Sequence, residues 1–312
     1  MFAFPVKHDL IVIMKLRFWF PWLIVFGFGN LTTLPLLAQK IVAWNLEWYP
    51  GKYPRATPEE AAAHAAVVKQ ALKEIDPDVL LIQEMRDWSA FADLVAVVPG
   101  LEVRVLSQFK NEEGEITRQQ VGIASKVPLN SAWFENWKPV PPLPTRGFSF
   151  AALEDQASGK LIFVYSVHLK SNRGKTKADA ELNEGMRNES VRQLLAHIEE
   201  TKKAYGKDRV LGTVIGGDMN TNQDGKFGDK VVANLVKAGF WNSWALTPAK
   251  ERLTWRGDDR FEAITFDYLF TSGLGKPRAQ LLDPPAETSD HRPLQIELGG
   301  EKPAGPDLVQ QP

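Results

Sequence analysis

Apolar positions along this chain fall into two patterns. Runs of six to nine largely apolar residues ("KIVAWN" from Lys40, "VLLIQE" from Val79, "LIFVYSVHL" from Leu161, "VLGTVIGG" from Val210) alternate with stretches of helical spacing. Short apolar runs bounded by turn residues predict strands buried on both faces. Between them, Thr57 has the position of an N-cap, Pro58 opens the helix and Glu60 completes a capping box. Ala61, Ala65, Val68, Leu72 and Ile75 then share one face until Asp76-Pro77-Asp78 stops the helix. A second amphipathic helix is predicted over Asn183–Tyr205, and shorter strands at "LEVRVL", "QVGIAS", "FSFAAL", "FDYLF" and "LQIEL". So many strands with three or four helices would overfill one open parallel sheet. The expected fold class is therefore α/β, with two mixed β-sheets packed together and helices outside. No solenoid-type repeat is present, and "KPVPPLPTRG" from Lys138 predicts a stiff surface connection between strands.

The N-terminus breaks the pattern. Lys15 and Arg17 precede the apolar run Phe18–Phe28, and "LLAQ" follows with small Ala38 at a cleavage position. Pro21, Asn30, Thr32, Thr33 and Pro35 interrupt the run, so it predicts a signal peptide over 1–38 and not a membrane anchor. Met14 begins a better-formed signal than Met1 does. The tail 299–312 lacks core-forming periodicity and is expected to be disordered. Residues 39–298 form the expected domain, in an exported, periplasmic or secreted protein expected to be a monomer without a protein partner or stable membrane anchor.

Composition narrows the chemistry. The 312 residues carry a formal net charge of −1, so any hold on nucleic acid must come from a local patch or from metal ions. The absence of Cys excludes disulfides, thiolate metal sites and cysteine nucleophiles.

The candidate site residues lie where predicted strands stop. "VAWN" ends on Asn45, "LLIQE" on Glu84, "VYSVH" on His168, "VIGGDMN" on Asp218 and Asn220, and "ITFD" on Asp267, while "ETSDH" supplies Asp290 and His291. Residues at strand ends of packed sheets share a rim, so groups spread from 45 to 291 can converge. Carboxylates and amides are hard oxygen ligands suited to Mg²⁺ or Mn²⁺, and the two His and a further Asp supply acid-base groups. "DMNTNQDGKFGD" resembles a calcium loop, but that loop needs Gly at position six and a carboxylate at position twelve. From Asp218 the sixth residue is Gln223, and from Asn220 the twelfth is Val231. The stretch instead divides after Asn220 into a strand end and a polar loop.

In this order, "WNLEW", "LIQE", "SVHLKSN", "GGDMN", "FDYLF" and "SDHRP" resemble the endonuclease/exonuclease/phosphatase superfamily over essentially Lys40–Leu298. The resemblance implies a four-layered α/β sandwich and a Mg²⁺-dependent phosphoric ester hydrolase. It implies Glu84 as principal metal ligand, Asn45 beside it on metal or phosphate, and Asp290 as a further ligand. Asp218 is implied to orient or deprotonate the attacking water, Asn220 to steady it, and Asp267 to hold His291. His168 is implied to contact a non-bridging phosphate oxygen and protonate the leaving oxygen. A carboxylate that partners this histidine in the deoxyribonuclease branch is missing, and Gln119 is the expected substitute.

Next to His168, "KSNRGKTK" places Lys170, Arg173, Lys175 and Lys177 within eight residues. Lys170, Asn172 and Arg173 are candidate substrate contacts, and Trp255 a candidate stacking group as well as a core residue. The expectation is a nuclease acting on DNA or RNA. Alternatives are a hydrolase of a phospholipid head group or small phosphoester, or a non-catalytic binding protein on the same fold.

Overall fold

The computed structural model describes residues 39–299. The signal-peptide expectation and residues 300–312 of the expected tail lie outside the described residues. The chain order is β1 (Gln39–Tyr49), α1 (Pro58–Ile75), β2 (Val79–Met85), α2 (Trp88–Val95), β3 (Glu102–Leu106), β4 (Gln120–Ser125), β5 (Leu129–Asn136) and β6 (Gly147–Glu154). There follow β7 (Leu161–His168), α3 (Lys177–Tyr205), β8 (Val210–Asp218), α4 (Val231–Lys237), β9 (Trp241–Asn242), β10 (Asp267–Ser272), β11 (Gln280–Leu281) and β12 (Leu294–Leu298).

The strands form two six-stranded mixed sheets, ordered β11-β12-β1-β2-β4-β3 and β5-β6-β7-β8-β10-β9. Alternation along β1 explains the layering. Ile41 and Ala43 join the core shared with the second sheet, whereas Val42 and Trp44 join a separate cluster with Val68 and Leu72 of α1 and Phe91 and Leu94 of α2. β2 repeats this with Val79 and Leu81 on one face and Leu80 and Ile82 on the other. A strand covered on both faces reads as a continuous apolar run, which is why these strands were legible.

α1 starts as its capping box requires: Glu60 N–H donates to Thr57 Oγ1 at 3.2 Å and Thr57 N–H to Glu60 Oε2 at 2.8 Å. Its buried stripe is His64, Val68, Ala71 and Leu72, rotated slightly from the apolar count because His64 is a packing residue. His64 Nδ1 accepts from Gly51 N–H at 2.8 Å and Nε2 pairs with Thr288 O at 2.7 Å, tying α1 to two rim loops.

A polar contact between the sheets sets their alignment beneath the rim. Gln83 on β2 donates to Ser166 Oγ on β7 at 3.1 Å, and Ser166 Oγ donates to Ile82 O at 3.1 Å. Since Gln83 precedes Glu84 and Ser166 is two residues before His168, these bonds fix two strand ends against each other.

Candidate active site

Strand register assembles the site. β7 and β8 are parallel with His168 opposite Asp218, and β10 is antiparallel to β8 with Asp267 opposite the same Asp218. Three neighbouring strands thus present His168, Asp218 and Asp267 in a row along one end of the second sheet. Gly217, with φ +134°, allows the close approach of β7: a Cβ there would lie 2.1 Å from Val167 O and 2.9 Å from Gln83 Nε2.

The first sheet supplies the facing groups through irregular backbone. Its β1–β2 register shifts between Asn45 and Tyr49, and β2–β4 between Ile82 and Met85. Glu47, Trp48 and Glu84 here, and Asn220 just after β8 of the second sheet, all have positive φ, between 48° and 59°. Non-glycine residues in this region concentrate at functional sites, where the surroundings hold them. At Glu84 the left-handed φ breaks the strand alternation and turns the carboxylate toward the second sheet.

Asn45, His168, Asp218, Asn220, Asp267 and His291 are all buried, and Glu84 and Asp290 are half-buried. Asp267 Oδ2 lies 2.7 Å from His291 Nδ1. His291 Nε2 is 3.9 Å and His168 Nε2 3.4 Å from the same atom, Asp218 Oδ2. Glu84 Oε1 is 3.9 Å from His168 Nε2. Asn45 Nδ2 donates to Asp218 Oδ2 at 3.1 Å across the sheets, and Asn220 N–H donates to Asp218 Oδ1 at 2.8 Å. Glu84 Oε2 accepts from Trp48 N–H at 3.0 Å. The structure therefore brings these seven predicted residues together.

Burial and charge separate the titrating groups. Burial, reinforced by Asp267 and Glu84, pushes the Asp218 carboxyl up to about 7, against His291 and the Asn220 N–H. Burial also raises Glu84, and Asp290 adds to this. Burial alone would lower His291, but Asp267, Asp218 and Asp290 hold it well above its ordinary value, so the ring is an imidazolium at neutral pH. His168 is held well below its ordinary value by burial and by Arg146, His291, Arg173 and Lys170, so it is neutral. A carboxylate near 7 is matched to accepting a proton at neutral pH, and an imidazolium to donating hydrogen bonds.

Asp290, the eighth, offers its Oδ2 to Trp255 Nε1 at 3.0 Å, while its N–H donates to Glu47 Oε2 at 2.9 Å. Half-buried Trp255 bridges to His291 and packs on Phe266, which lies 6.5 Å from the His291 ring. It is both packing residue and site wall. Asn172 donates to Asn220 O at 2.6 Å, so it joins two rim loops; Lys170 is half-buried and Arg173 exposed.

Two findings correct the sequence reading. Gln119 does not partner His168: its N–H donates to Thr117 Oγ1 at 3.5 Å, and His168 Nδ1 is buried without a partner. The charge acting most strongly on His168 is that of Arg146, which was missed and which lowers the ring's pKa without bonding to it. Burial lowers the pKa of Arg146 against the opposing pull of Glu84 and Asp218, and its Nη1 is buried without a partner. Arg146 has φ 71° and directly precedes β6, which is antiparallel to β7, so the start of β6 shares the rim with the end of β7. The polar loop after Asn220 is no calcium loop: Asp224 pairs with Arg252 at 2.8 Å and Asp229 with Arg187 at 2.7 Å.

The model of the Endonuclease/Exonuclease/phosphatase family matches residues 42–291. The chain belongs to this family. Its members are phosphoester hydrolases, often metal-dependent. No curated protein matches the chain by sequence. Among solved structures, truncated TDP2 of Caenorhabditis elegans is 18% identical with a TM-score of 0.59, covering 86% of this chain and 100% of that one. A mannosyl-6-phosphatase of Bacteroides thetaiotaomicron is 17% identical with a TM-score of 0.59, over 83% of this chain and 99% of that one. A further family protein from Bacteroides thetaiotaomicron is 17% identical, TM-score 0.58, over 84% and 97%. These likenesses establish the shared fold.

The donor set of this family member fits a divalent metal. Glu84 and Asp290 are like charges, and Asp290 raises the Glu84 pKa, a repulsion that a divalent cation would relieve. Ligand atoms of Asp218, Asp267 and His291 also lie within 4.8 Å of one another, and Asp267 Oδ1 is buried without a partner. Oxygen-dominated donors suit a hard cation.

Proposed function

We propose that the protein is an exported Mg²⁺-dependent phosphodiesterase, with Mn²⁺ as substitute, that hydrolyses nucleic acid with little sequence preference. The observation that carries this reading is the cluster of cations around His168. Arg146, Arg173 and Lys170 all act on the His168 ring, and Arg146 and Arg173 depress the half-buried Lys170 after burial itself. Clustered cations beside a carboxylate-rich centre suit a substrate with phosphates on both sides of the reacting bond, as in a polynucleotide.

The roles follow from protonation. Asp218, near 7, accepts the proton of the attacking water, which Asn220 and Asn45 help to orient through their bonds to the carboxylate. As the water oxygen bonds to phosphorus, the bond to the leaving oxygen breaks. His291, kept an imidazolium by Asp267, donates from Nε2 to a phosphoryl oxygen as charge builds there. His168 is a neutral ring whose Nε2 faces the same centre, which suits contact with a non-bridging oxygen better than proton delivery. Glu84 and Asp290, with Asn45, would hold the metal, which supplies charge neutralisation and leaving-group stabilisation when bound. Trp255 and Phe266 offer a stacking wall beside His291.

A second reading, hydrolysis of a small phosphate ester, is favoured by the likeness to a protein named as a mannosyl-6-phosphatase. A substrate panel decides between them: plasmid DNA, RNA, sphingomyelin and sugar phosphates with Mg²⁺, Mn²⁺ or chelator. Metal-dependent turnover of DNA or RNA is expected; turnover confined to sugar phosphates or sphingomyelin would overturn the nuclease reading. Export through 1–38 predicts a mature N-terminus at Gln39, read by mass spectrometry of the secreted or periplasmic protein.

A further inference from the structure

The segment Lys170–Arg173 has to hold cations together near Arg146 although they repel one another. Its backbone is tethered from one face of α3. Asn183 and Arg187 stand one helical turn apart, 4% and 1% exposed. Asn183 Nδ2 donates to Arg173 O at 2.9 Å, and Arg187 Nη1 donates to Lys170 O at 3.0 Å. The other edge of the Arg187 guanidinium forks Asp229 Oδ2, from Nε at 2.8 Å and Nη2 at 2.7 Å. Asp229 Oδ1 in turn accepts from Thr221 Oγ1 at 2.5 Å, next to Asn220. The network therefore joins the loop after His168 to the loop after Asp218, and the bond from Asn172 to Asn220 O closes it.

Stability alone does not account for such an arrangement. A buried ion pair loses much of its Coulombic gain to desolvation, and an apolar pair of similar volume often serves as well. What apolar side chains cannot supply is fixed donors aimed at two carbonyls of a loop. Resting on the reading of Lys170–Arg173 as a polynucleotide-contacting arm, we propose that Asn183, Arg187 and Asp229 are positioning residues that latch this arm over the active site. They touch no reacting atom, and their effect is on binding of phosphates that flank the cleaved bond.

The test uses the full-length protein with Arg187→Met/Asp229→Asn, which removes both buried charges together, and separately the milder Asn183→Ala. Hydrogen exchange of amides 169–174 reads the latch without any substrate. KM and kcat are measured on an oligonucleotide and on bis(4-nitrophenyl) phosphate, which has no phosphates flanking the cleaved bond. Exchange in the segment should quicken about tenfold, and KM for the oligonucleotide should rise about tenfold with a shallower salt dependence. Turnover of bis(4-nitrophenyl) phosphate should stay near wild type. Unchanged exchange in both variants, or equal losses on the two substrates, would overturn the latch. If the double variant does not fold, Asn183→Ala decides alone. A wild-type protein that cleaves no nucleic acid would defeat the nuclease reading, and exchange would then decide the latch.

Discussion

At the scale of single residues, catalysis turns on how protons are divided among four buried groups, Asp218, Asp267, His168 and His291. Asp267 matters because it fixes both the orientation and the charge of His291 through a 2.7 Å contact. Asp267→Asn keeps the shape but removes the charge, so kcat should fall by roughly 10²–10⁴-fold with little change in the far-ultraviolet circular dichroism spectrum. An unaltered kcat would remove the pair from the mechanism. The same groups make stability depend on pH in metal-free protein. Asp218 has a raised pKa, so the fold favours its protonated form, and stability is lost as pH rises through about 7. His291 is also raised, so its contribution is present at low pH and fades as pH climbs through its folded value. His168 and His64 are lowered and act oppositely, but only below their ordinary value of 6.5. Between pH 6.5 and 8 the midpoint of thermal unfolding in chelator should therefore fall. A rising midpoint across that window would contradict the assignment of charges.

At the scale of elements, catalytic geometry depends on how strands stop. Gly217 lets β7 and β8 close up immediately before His168 and Asp218, in a conformation that L-residues disfavour. Gly217→Ala should cost about 1–3 kcal/mol or more in a denaturant titration, since it combines positive φ with overpacking against Val167 O. Stability within about 0.5 kcal/mol of wild type would show that the strand junction tolerates a side chain. The same element view explains what was legible. β1, β2, β7 and β8 are covered on both faces, so their apolar runs announced them and their polar ends announced Asn45, Glu84, His168 and Asp218. β5 was missed because most of its residues, from Leu129 to Asn136, are only partly buried and its pattern is mixed. α2 and α4 are too short, at eight and seven residues, for a period to stand out. Arg146 was missed because it lies at the start of a strand, after a Pro-rich connection. Only the antiparallel pairing of β6 with β7 reveals that such a start belongs to the active rim.

At the scale of the whole molecule, two sheets each contribute half of the centre. Gln83, Ser166 and Ile82 align them from below, and the bond from Asn45 to Asp218 joins them at the rim. Among the described residues no helix is long and apolar enough to cross a membrane. Membership of the endonuclease/exonuclease/phosphatase family makes phosphoester hydrolysis the chemistry. The most direct measurement is the nicking of supercoiled plasmid by wild type and His291→Ala, each with Mg²⁺ and with chelator. Relaxed and linear products should appear with wild type and Mg²⁺, vanish in chelator, and be reduced at least about 10²-fold in His291→Ala. Nicking that persists in chelator, or that His291→Ala leaves unchanged, would contradict the account.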